Sequence, residues 1–514
     1  EIRERVKWVP PFGVNRIGAM VENRLEWTIS RQRRWGSPIT FLRCKPCREG
    51  GLVEHYPPAG DTAAHTAFFS NLVGIFRKSG ADAWYDDAAF PVAAFVPEGA
   101  RCARCGGADF EKVRDILDVW FDSGVSHAAV LRSGEYGIED PYAPASKAPV
   151  LYLEGHDQHR GWFQSSLLTS VALTGAAPYD AVLTHGFVVD GEGRKMSKSV
   201  GNVVSPQDVI AKDGADVLRL FVAHSDFTDD VRLNKEILAR TAEAYRKIRN
   251  TARFLLSVLF DFDSRTDVVP DASLTPLDAF VLSRASHLVK ECHAAYERYE
   301  YHTVARRLLE FTTNDLSAFW CDVRKDALYV LAANHPVRRS AQTAALRIVE
   351  TLALLLQPIC PYTAEEIWEN VPGRAGTSPA VETYETLRLA PLSREADLAW
   401  EKVLLLREEV QRRLEPLRRG GSVGSSAQAA VVVGEASALS EALQHAGLDF
   451  PALAEVLNVP EVIEGEGGAY FEPLNVALDV RAAEGTKCPR CWQVRRDGDA
   501  DGLCGRCRDV LAVA

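Results

Sequence analysis

The chain has 514 residues, 46% apolar and 25% charged, a globular composition that excludes fibrous and disordered classes. At that length one hydrophobic core does not suffice, and about two to four domains are expected. Its 59 basic and 70 acidic residues leave a net charge of −11, which excludes a uniformly basic nucleic-acid binder but leaves room for a local basic face.

The longest aliphatic runs, such as Leu352–Leu356 and Ala429–Val433, fall far short of a membrane span. The N-terminus has no apolar signal core and no initiator Met. A cytoplasmic setting without a membrane is therefore expected, and the chain reads as a piece of something larger. Of eleven cysteines, eight form four Cys-x-x-Cys pairs. Without an export signal, that pattern favours zinc over disulfides. Cys292, Cys321 and Cys360 lie in helix-like segments and read as core thiols.

In chain order, residues 1–225 alternate short apolar runs, helical patterns and glycine turns. Val150–Leu153 reads as a buried strand, Arg160–Thr174 as a helix stopped by Gly175, and Ala181–Val189 as a second strand. Together they predict a βαβ crossover of a parallel sheet, whose ligands bind beyond the carboxyl ends of the strands. Glu154–Trp162 and the loop after Val189 fall at those ends.

From residue 235 long amphipathic helices take over. Thr275-Pro276-x-Asp278 is a helix start, and apolar or small residues recur at Leu277, Val281, Ala285, Leu288, Cys292, Ala295 and Tyr299. Thr303–Trp320 and Ser340–Leu356 continue the pattern, and Thr363-x-x-Glu366 predicts a capping box. Gly420–Ser426 reads as a flexible linker. Strand-like Ala429–Val433 and Val476–Val480 then suggest a small α/β module, before a cysteine-rich end.

Gly191-Glu-Gly-Arg-Lys-Met-Ser-Lys-Ser199 combines two glycines with three cations, Arg194, Lys195 and Lys198. A mobile cationic loop at a strand end suits a polyphosphate whose leaving pyrophosphate gathers charge. Cys488-x2-Cys491-x12-Cys504-x2-Cys507 has the spacing of a tetrahedral zinc site. Cys44/Cys47 and Cys102/Cys105 are separated by 54 intervening residues, so spacing alone does not pair them, although both flank one inserted lobe and zinc is expected there. Arg240–Arg253 and Lys402–Arg419 are locally basic and fit either an RNA-facing stripe or a solvated helix face. Trp492, near Arg490, Arg495 and Arg496, fits either an aromatic platform for a base or the filling of a small zinc-module core.

Lys195-Met-Ser-Lys-Ser199 resembles the KMSKS loop of class I aminoacyl-tRNA synthetases. Asp157-Gln-His-Arg-Gly-Trp-Phe163 and Ile29-Ser-Arg-Gln-Arg-Arg-Trp-Gly36 resemble the isoleucyl branch. Asp118-Val-Trp-Phe-Asp-Ser-Gly124, Thr184-His-Gly-Phe187 and Cys488-Pro-Arg-Cys-Trp492 resemble its bacterial form. The resemblance covers essentially the whole chain, in family order.

It implies an α/β fold: the second half of a Rossmann-type parallel-sheet catalytic domain with a Cys-pair insertion over 1–234. A helical anticodon-binding domain over 235–400, a junction module over 401–484 and a zinc ribbon over 485–514 would follow. The implied activity is attachment of isoleucine to tRNA(Ile) through an isoleucyl-adenylate, with ATP and Mg²⁺ as substrate, Zn²⁺ as cofactor, and a monomeric state.

In that resemblance Glu154 contacts the adenylate, with Gly155, Asp157, Gln158 and Trp162 as its neighbours and Trp120 as an apolar wall. Lys198 contacts ATP, with Lys195 as its catalytic partner, and Trp492 faces tRNA. Two departures stand out: no HIGH-type motif or editing domain occurs within the 514 residues, and His156 replaces a common serine. The chain alone is accordingly expected to be an incomplete enzyme. A valyl or leucyl relative and a non-catalytic tRNA-binding fragment are the alternatives.

Overall fold

The computed structural model describes residues 1–137, 139–143, 146 and 149–513. The chain forms two compact units, Glu1–Phe187 with Phe227–Asp230, and Val188–Asp226 with Val231–Ala514.

In the first unit three parallel strands run in the order Lys7–Val9, Ala181–His185, Leu151–Gly155. The middle strand is buried over Ala181–Thr184, as expected for a parallel strand covered on both faces. The Trp162–Thr174 helix makes the crossover. It packs Phe163 and Leu167 against Tyr152, Trp8 and Ile17 and ends on Gly175 at φ +76, a left-handed stop that suits glycine.

The expected run Ala181–Val189 is divided. Its first part stays in this sheet, whereas Val188–Val189 pairs in parallel with Val231–Arg232 in the second unit. Gly186 marks the break: a Cβ there would lie 2.3 Å from the Asp229 carbonyl oxygen. The loop after Val189 therefore does not extend from the sheet that carries Glu154.

The inserted lobe has its own antiparallel sheet, in the order His55–Tyr56, Leu42–Cys44, Phe110–Lys112. Its core gathers Leu42, Phe68, Leu72, Trp84, Phe95 and Phe110.

The second unit is mainly helical. The Pro276–Glu297 helix starts at Thr275 with proline in its first turn, and Leu277, Val281, Ala285, Leu288, Cys292 and Ala295 are all buried. Tyr299 falls beyond the helix, at φ +61. The helix expected to stop at Trp320 continues to Val330 and winds as a π-helix over Phe311–Trp320. Pro336–Leu356 forms the most buried helix.

The capping box at Thr363 does not form. Its helix begins at Pro361, and the Thr363 N–H and hydroxyl both donate to Asp216 at 2.6 Å. Nor is Gly420–Ser426 a free linker. Val423 and Ser426 are buried, and Gly424 N–H donates to Gln428 Oε1 at 2.7 Å. Beyond it lies a four-stranded mixed sheet, in the order Glu461–Glu464, Ala429–Val433, Val476–Ala482, Ala469–Phe471. Its apolar residues join the core of the helices.

Candidate functional site

Glu154 and Gly155 close the Leu151–Gly155 strand, opposite Thr184 and His185. A 3₁₀ turn over His156–Arg160 follows and carries Asp157 and Gln158. The Gly155 position is tight: a Cβ would sit 2.6 Å from Asp157 Oδ1. Gln158 Oε1 accepts the Trp162 N–H at 3.0 Å, which caps the incoming helix. At Gly161 a Cβ would meet Gln158 Oε1 at 2.4 Å and the Trp120 ring at 2.9 Å, so this glycine lets Trp120 lie against the turn.

The structure thus brings Gln158, Gly161 and Trp120 together beside the strand end. Trp120 is 41% exposed, and Asp118 fixes the start of its helix by accepting the Trp120 N–H at 2.8 Å. Trp162 is placed differently. Its ring stacks on Tyr152 at 4.0 Å between centroids, and its indole N–H donates to the Ser123 carbonyl at 3.0 Å. That is the placement of a supporting residue. His159 is fully buried beneath the turn, stacked on Trp8.

Lys195 and Lys198 lie in the second unit, on a hairpin loop organised by Asp190. The Asp190 carboxylate accepts the backbone N–H groups of Glu192 and Arg194 at 3.0 and 2.8 Å, Arg194 Nε at 2.8 Å and Asn202 Nδ2 at 3.0 Å. Asn202 also donates to the Lys195 carbonyl and accepts the Ser197 N–H at 2.9 Å. Donors from Asn202 and the Arg194 backbone hold the Asp190 carboxyl well below the usual carboxylate range, against the opposing effect of burial. Arg194 is thereby neutralised, with Glu192 as a second partner at 3.1 Å. Lys195 and Lys198 are exposed, and among the described residues neither joins an ion pair. The loop is held at its base and charged at its tip.

The two sequence-distant cysteine pairs converge. Strand pairing sets Cys44 opposite Phe110, and the Sγ atoms of Cys44, Cys47, Cys102 and Cys105 lie within 4.8 Å of one another. Cys44–Cys105 and Cys47–Cys102 are 3.5 and 3.7 Å apart. Cys488, Cys491, Cys504 and Cys507 form a second such group, with Cys491–Cys504 at 3.7 Å. All eight are free thiols. Tetrahedral zinc with bonds of about 2.3 Å places its sulfurs about 3.8 Å apart, so both groups fit a metal ion. Burial pushes the Cys488 thiol up, but the N–H groups of Cys491, Cys504 and Arg490 outweigh it and bring it to about 6. Cys105 and Arg104 do the same for Cys102, to about 7.

The two knuckles also share a backbone shape. Gly106 follows Cys105 at φ +70 and donates its N–H to the Cys102 carbonyl at 2.9 Å. Trp492 follows Cys491 at φ +65 and donates to the Cys488 carbonyl at 2.9 Å. A left-handed backbone suits glycine, and for other residues it costs about 1–2 kcal/mol. Trp492 occupies that position with 67% of its surface exposed, so it does not fill the module's core.

Residues 1–234 match the family of class I tRNA synthetases (I, L, M and V), and residues 278–433 match the anticodon-binding domain of tRNA ligases. The chain is 43% identical over 513 residues to the isoleucine–tRNA ligase of Geobacter sulfurreducens, covering 98% of this chain and 53% of that protein. It is 42% identical over 527 aligned residues to that of Symbiobacterium thermophilum, covering 99% and 54%. The chain belongs to the class I tRNA synthetases.

This synthetase chain spans about half the length of the curated relatives it matches. Among solved structures, a Mycobacterium tuberculosis methionyl-tRNA synthetase in complex with methionyl-adenylate is 17% identical, at a TM-score of 0.46, over 72% of this chain and 61% of that one.

Two residues of the synthetase loop, Asp190 and Asn202, were not singled out by the sequence. Asp190 before Gly191-x-Gly193 is an Asx-turn signal that could have found the first; nothing local marks the second.

The basic stretches are largely self-neutralised. Arg240, Arg246 and Arg249 pair with Glu236, Glu243 and Glu366. Arg412 and Arg413 pair with Glu409, and Arg419 with Glu415. Around Trp492, Arg496 pairs with Glu484 at 3.1 Å, Arg495 holds Gln493, and Arg490 faces the Cys507 sulfur.

Proposed function

We propose that this synthetase chain acts in the ATP-dependent attachment of isoleucine to its tRNA through an isoleucyl-adenylate. The observation that carries the reading is the Asp190-centred clamp, which uses Arg194 to hold the loop and leaves Lys195 and Lys198 outside any ion pair among the described residues. It occurs in a chain that matches isoleucine–tRNA ligases at 40–43% identity over at least 98% of its length.

In this reading a carboxylate oxygen of isoleucine attacks the α-phosphorus of ATP, which enters with Mg²⁺, and the bond to the bridging oxygen breaks. Lys195 and Lys198 meet the charge that gathers on the departing pyrophosphate. Glu154, at its strand end, takes the α-ammonium or a ribose hydroxyl. Gly155, Asp157 and Gln158 shape the floor of that pocket and Trp120 gives it an apolar wall, while Trp162 positions the turn from behind. A tRNA ribose hydroxyl then attacks the activated carbonyl and AMP departs.

Residues 1–234 would serve this chemistry, 235–400 the anticodon end, and 401–484 the junction between helices and the cysteine module at 485–514. Zinc, bound by Cys44, Cys47, Cys102 and Cys105 and by Cys488, Cys491, Cys504 and Cys507, would tie the inserted lobe's two cysteine pairs together and supply order in the C-terminal module, which has little core of its own. Trp492 would stack on an unpaired tRNA base. The strained backbone beneath an exposed ring supports that role, since such outliers persist where function retains them.

Binding of tRNA by the 514-residue chain tests the reading. Isoleucine tRNA should be preferred over valine and leucine tRNAs by roughly tenfold, about 1.4 kcal/mol. Equal affinity for all three would favour a non-specific RNA-binding role, and preference for one of the others a different member of the family.

A further inference from the structure

We propose that the cleft between the Lys235–Ser257 helix and the π-wound Phe311–Trp320 segment binds a backbone phosphate of RNA. This rests on the tRNA-binding reading above and assigns it a specific anchor.

The cleft has a volume of about 330 Å³, at the small end of ligand sites. One wall presents Lys247, Asn250 and Phe254, successive positions on one helix face, and the other presents Thr313, Ser317 and Lys325. Five of these six side chains can donate a hydrogen bond, and none carries negative charge. π-Wound helix is uncommon and concentrates at functional sites; here it lines the cleft.

Three observations point to an oxyanion. The first is the selection of cations. Of the five basic residues in Arg240–Arg253, three are held by carboxylates, and Lys247, the one that faces the cleft, joins no ion pair among the described residues. Among the described residues Lys325 makes only an exposed ion pair, with Asp322 at 3.3 Å, a kind that contributes little. The second is Thr313, whose Oγ1 is closed off from solvent and has no hydrogen-bond partner. A buried hydroxyl is seldom left in that state, and because Thr313 lines the cleft a rotation about its χ1 would bring the hydroxyl to an acceptor there.

The third observation separates RNA from free phosphate. Tyr329, one turn after Lys325, is 61% exposed and stands edge-on to Phe254 at 6.5 Å. An exposed ring beside a phosphate anchor is the arrangement that stacks a nucleobase.

The test is the salt dependence of isoleucine-tRNA binding by the whole 514-residue chain. Replacing Lys247→Gln with Lys325→Gln should weaken binding roughly tenfold at moderate salt and reduce the salt slope by about 1–2. Thr313→Val should weaken it roughly threefold. A control pair on the same helix, Arg240→Gln with Arg246→Gln, removes equal charge from carboxylate-held positions and should leave the slope unchanged. If the wild-type chain binds tRNA and the lysine pair keeps the wild-type slope, the cleft assignment falls and the proposed function stands. If the wild-type chain binds no tRNA, both fall. If inorganic phosphate raises the melting temperature of the wild type but not of the lysine pair, while their tRNA slopes agree, the cleft takes free phosphate and the RNA assignment is overturned.

Discussion

Arg324 and Asp278 meet at 2.9 Å with neither side chain exposed to solvent. Trp320 Nε1 shares the same carboxylate oxygen, and the other accepts from the hydroxyls of Thr275 and Ser340. Arg324 also reaches Glu455, on the helix Phe450–Leu457. A buried charge is tolerated where every lone pair and proton has a partner, and this pair ties the helical core to the segment that follows it.

Asp278→Ala should therefore destabilise the second unit by about 3–5 kcal/mol, because it leaves the buried guanidinium with Glu455 as its remaining carboxylate and takes the acceptor from Trp320, Thr275 and Ser340. Asp278→Ala with Arg324→Met should cost less than the single change. Urea midpoints of the two variants check this, and a double variant as unstable as the single one would contradict it.

Lys198→Ala should slow adenylate formation by roughly 100-fold, the scale of one preorganised charge contact. In an enzyme preparation that forms isoleucyl-adenylate, the loss should appear in the turnover of isoleucine-dependent pyrophosphate exchange. A raised ATP Michaelis constant at unchanged turnover would exclude the role.

Asp190→Asn should loosen the loop without unfolding its unit. Hydrogen exchange over residues 190–202 should quicken, and trypsin should cut sooner at Lys195 and Lys198. The folded carboxyl of Asp190 is depressed, so its contribution is present above the unfolded value of about 3.9 and is lost as pH falls through the folded value. Wild-type loop protection should thus hold between pH 4 and 7, referenced to the same unfolded value of about 3.9, while the variant lacks it throughout. Protection that fades near neutral pH would rule out Asp190 as the clamp.

Trp492→Gly offers a sharper test than alanine. Glycine relieves the left-handed backbone, so zinc should be retained at least as firmly while tRNA binding weakens by about 1–3 kcal/mol, the contribution of one stacked base. Cys504→Ser should instead release zinc and loosen the C-terminal module. Zinc content measured beside tRNA affinity separates the two effects, and Trp492→Gly with unchanged affinity would end the stacking role.

Gly161→Ala should displace Gln158 and Trp120, which a Cβ would approach at 2.4 and 2.9 Å. In an enzyme preparation that forms isoleucyl-adenylate, the expected result is a raised Michaelis constant for isoleucine. Normal isoleucine affinity would mean that Trp120 forms no part of the pocket.

Much of this was legible in the sequence because it depended on local pattern. The crossover, the stripe from Leu277 to Ala295 and the Cys488–Cys507 spacing each express one period or one knuckle. What escaped depended on partners far along the chain. Thr363 looked like a cap because Asp216, 147 residues away, is invisible to a four-residue pattern. Cys44 and Cys105 cannot be paired by spacing because they meet only once Cys44 is set opposite Phe110 by strand pairing. Gly420–Ser426 has the composition of a linker, yet one buried valine, Val423, ties it to the core. The loop of Lys195 was recognisable by its wording, but its clamp needs Asn202, which has no local signature.

The helix Cys321–Val330 faces several ways within a single turn. Arg324 points into the core, Lys325 to the cleft, and Asp326 holds Arg506 of the cysteine module at 2.8 Å. Each α-helical residue advances about 100° around the axis. Substitution at any one of these positions disturbs the contacts on one side of the helix, but inserting or deleting a single residue would swing all three out of alignment at once. Over an evolving lineage this helix should admit changes of side chain and refuse changes of length.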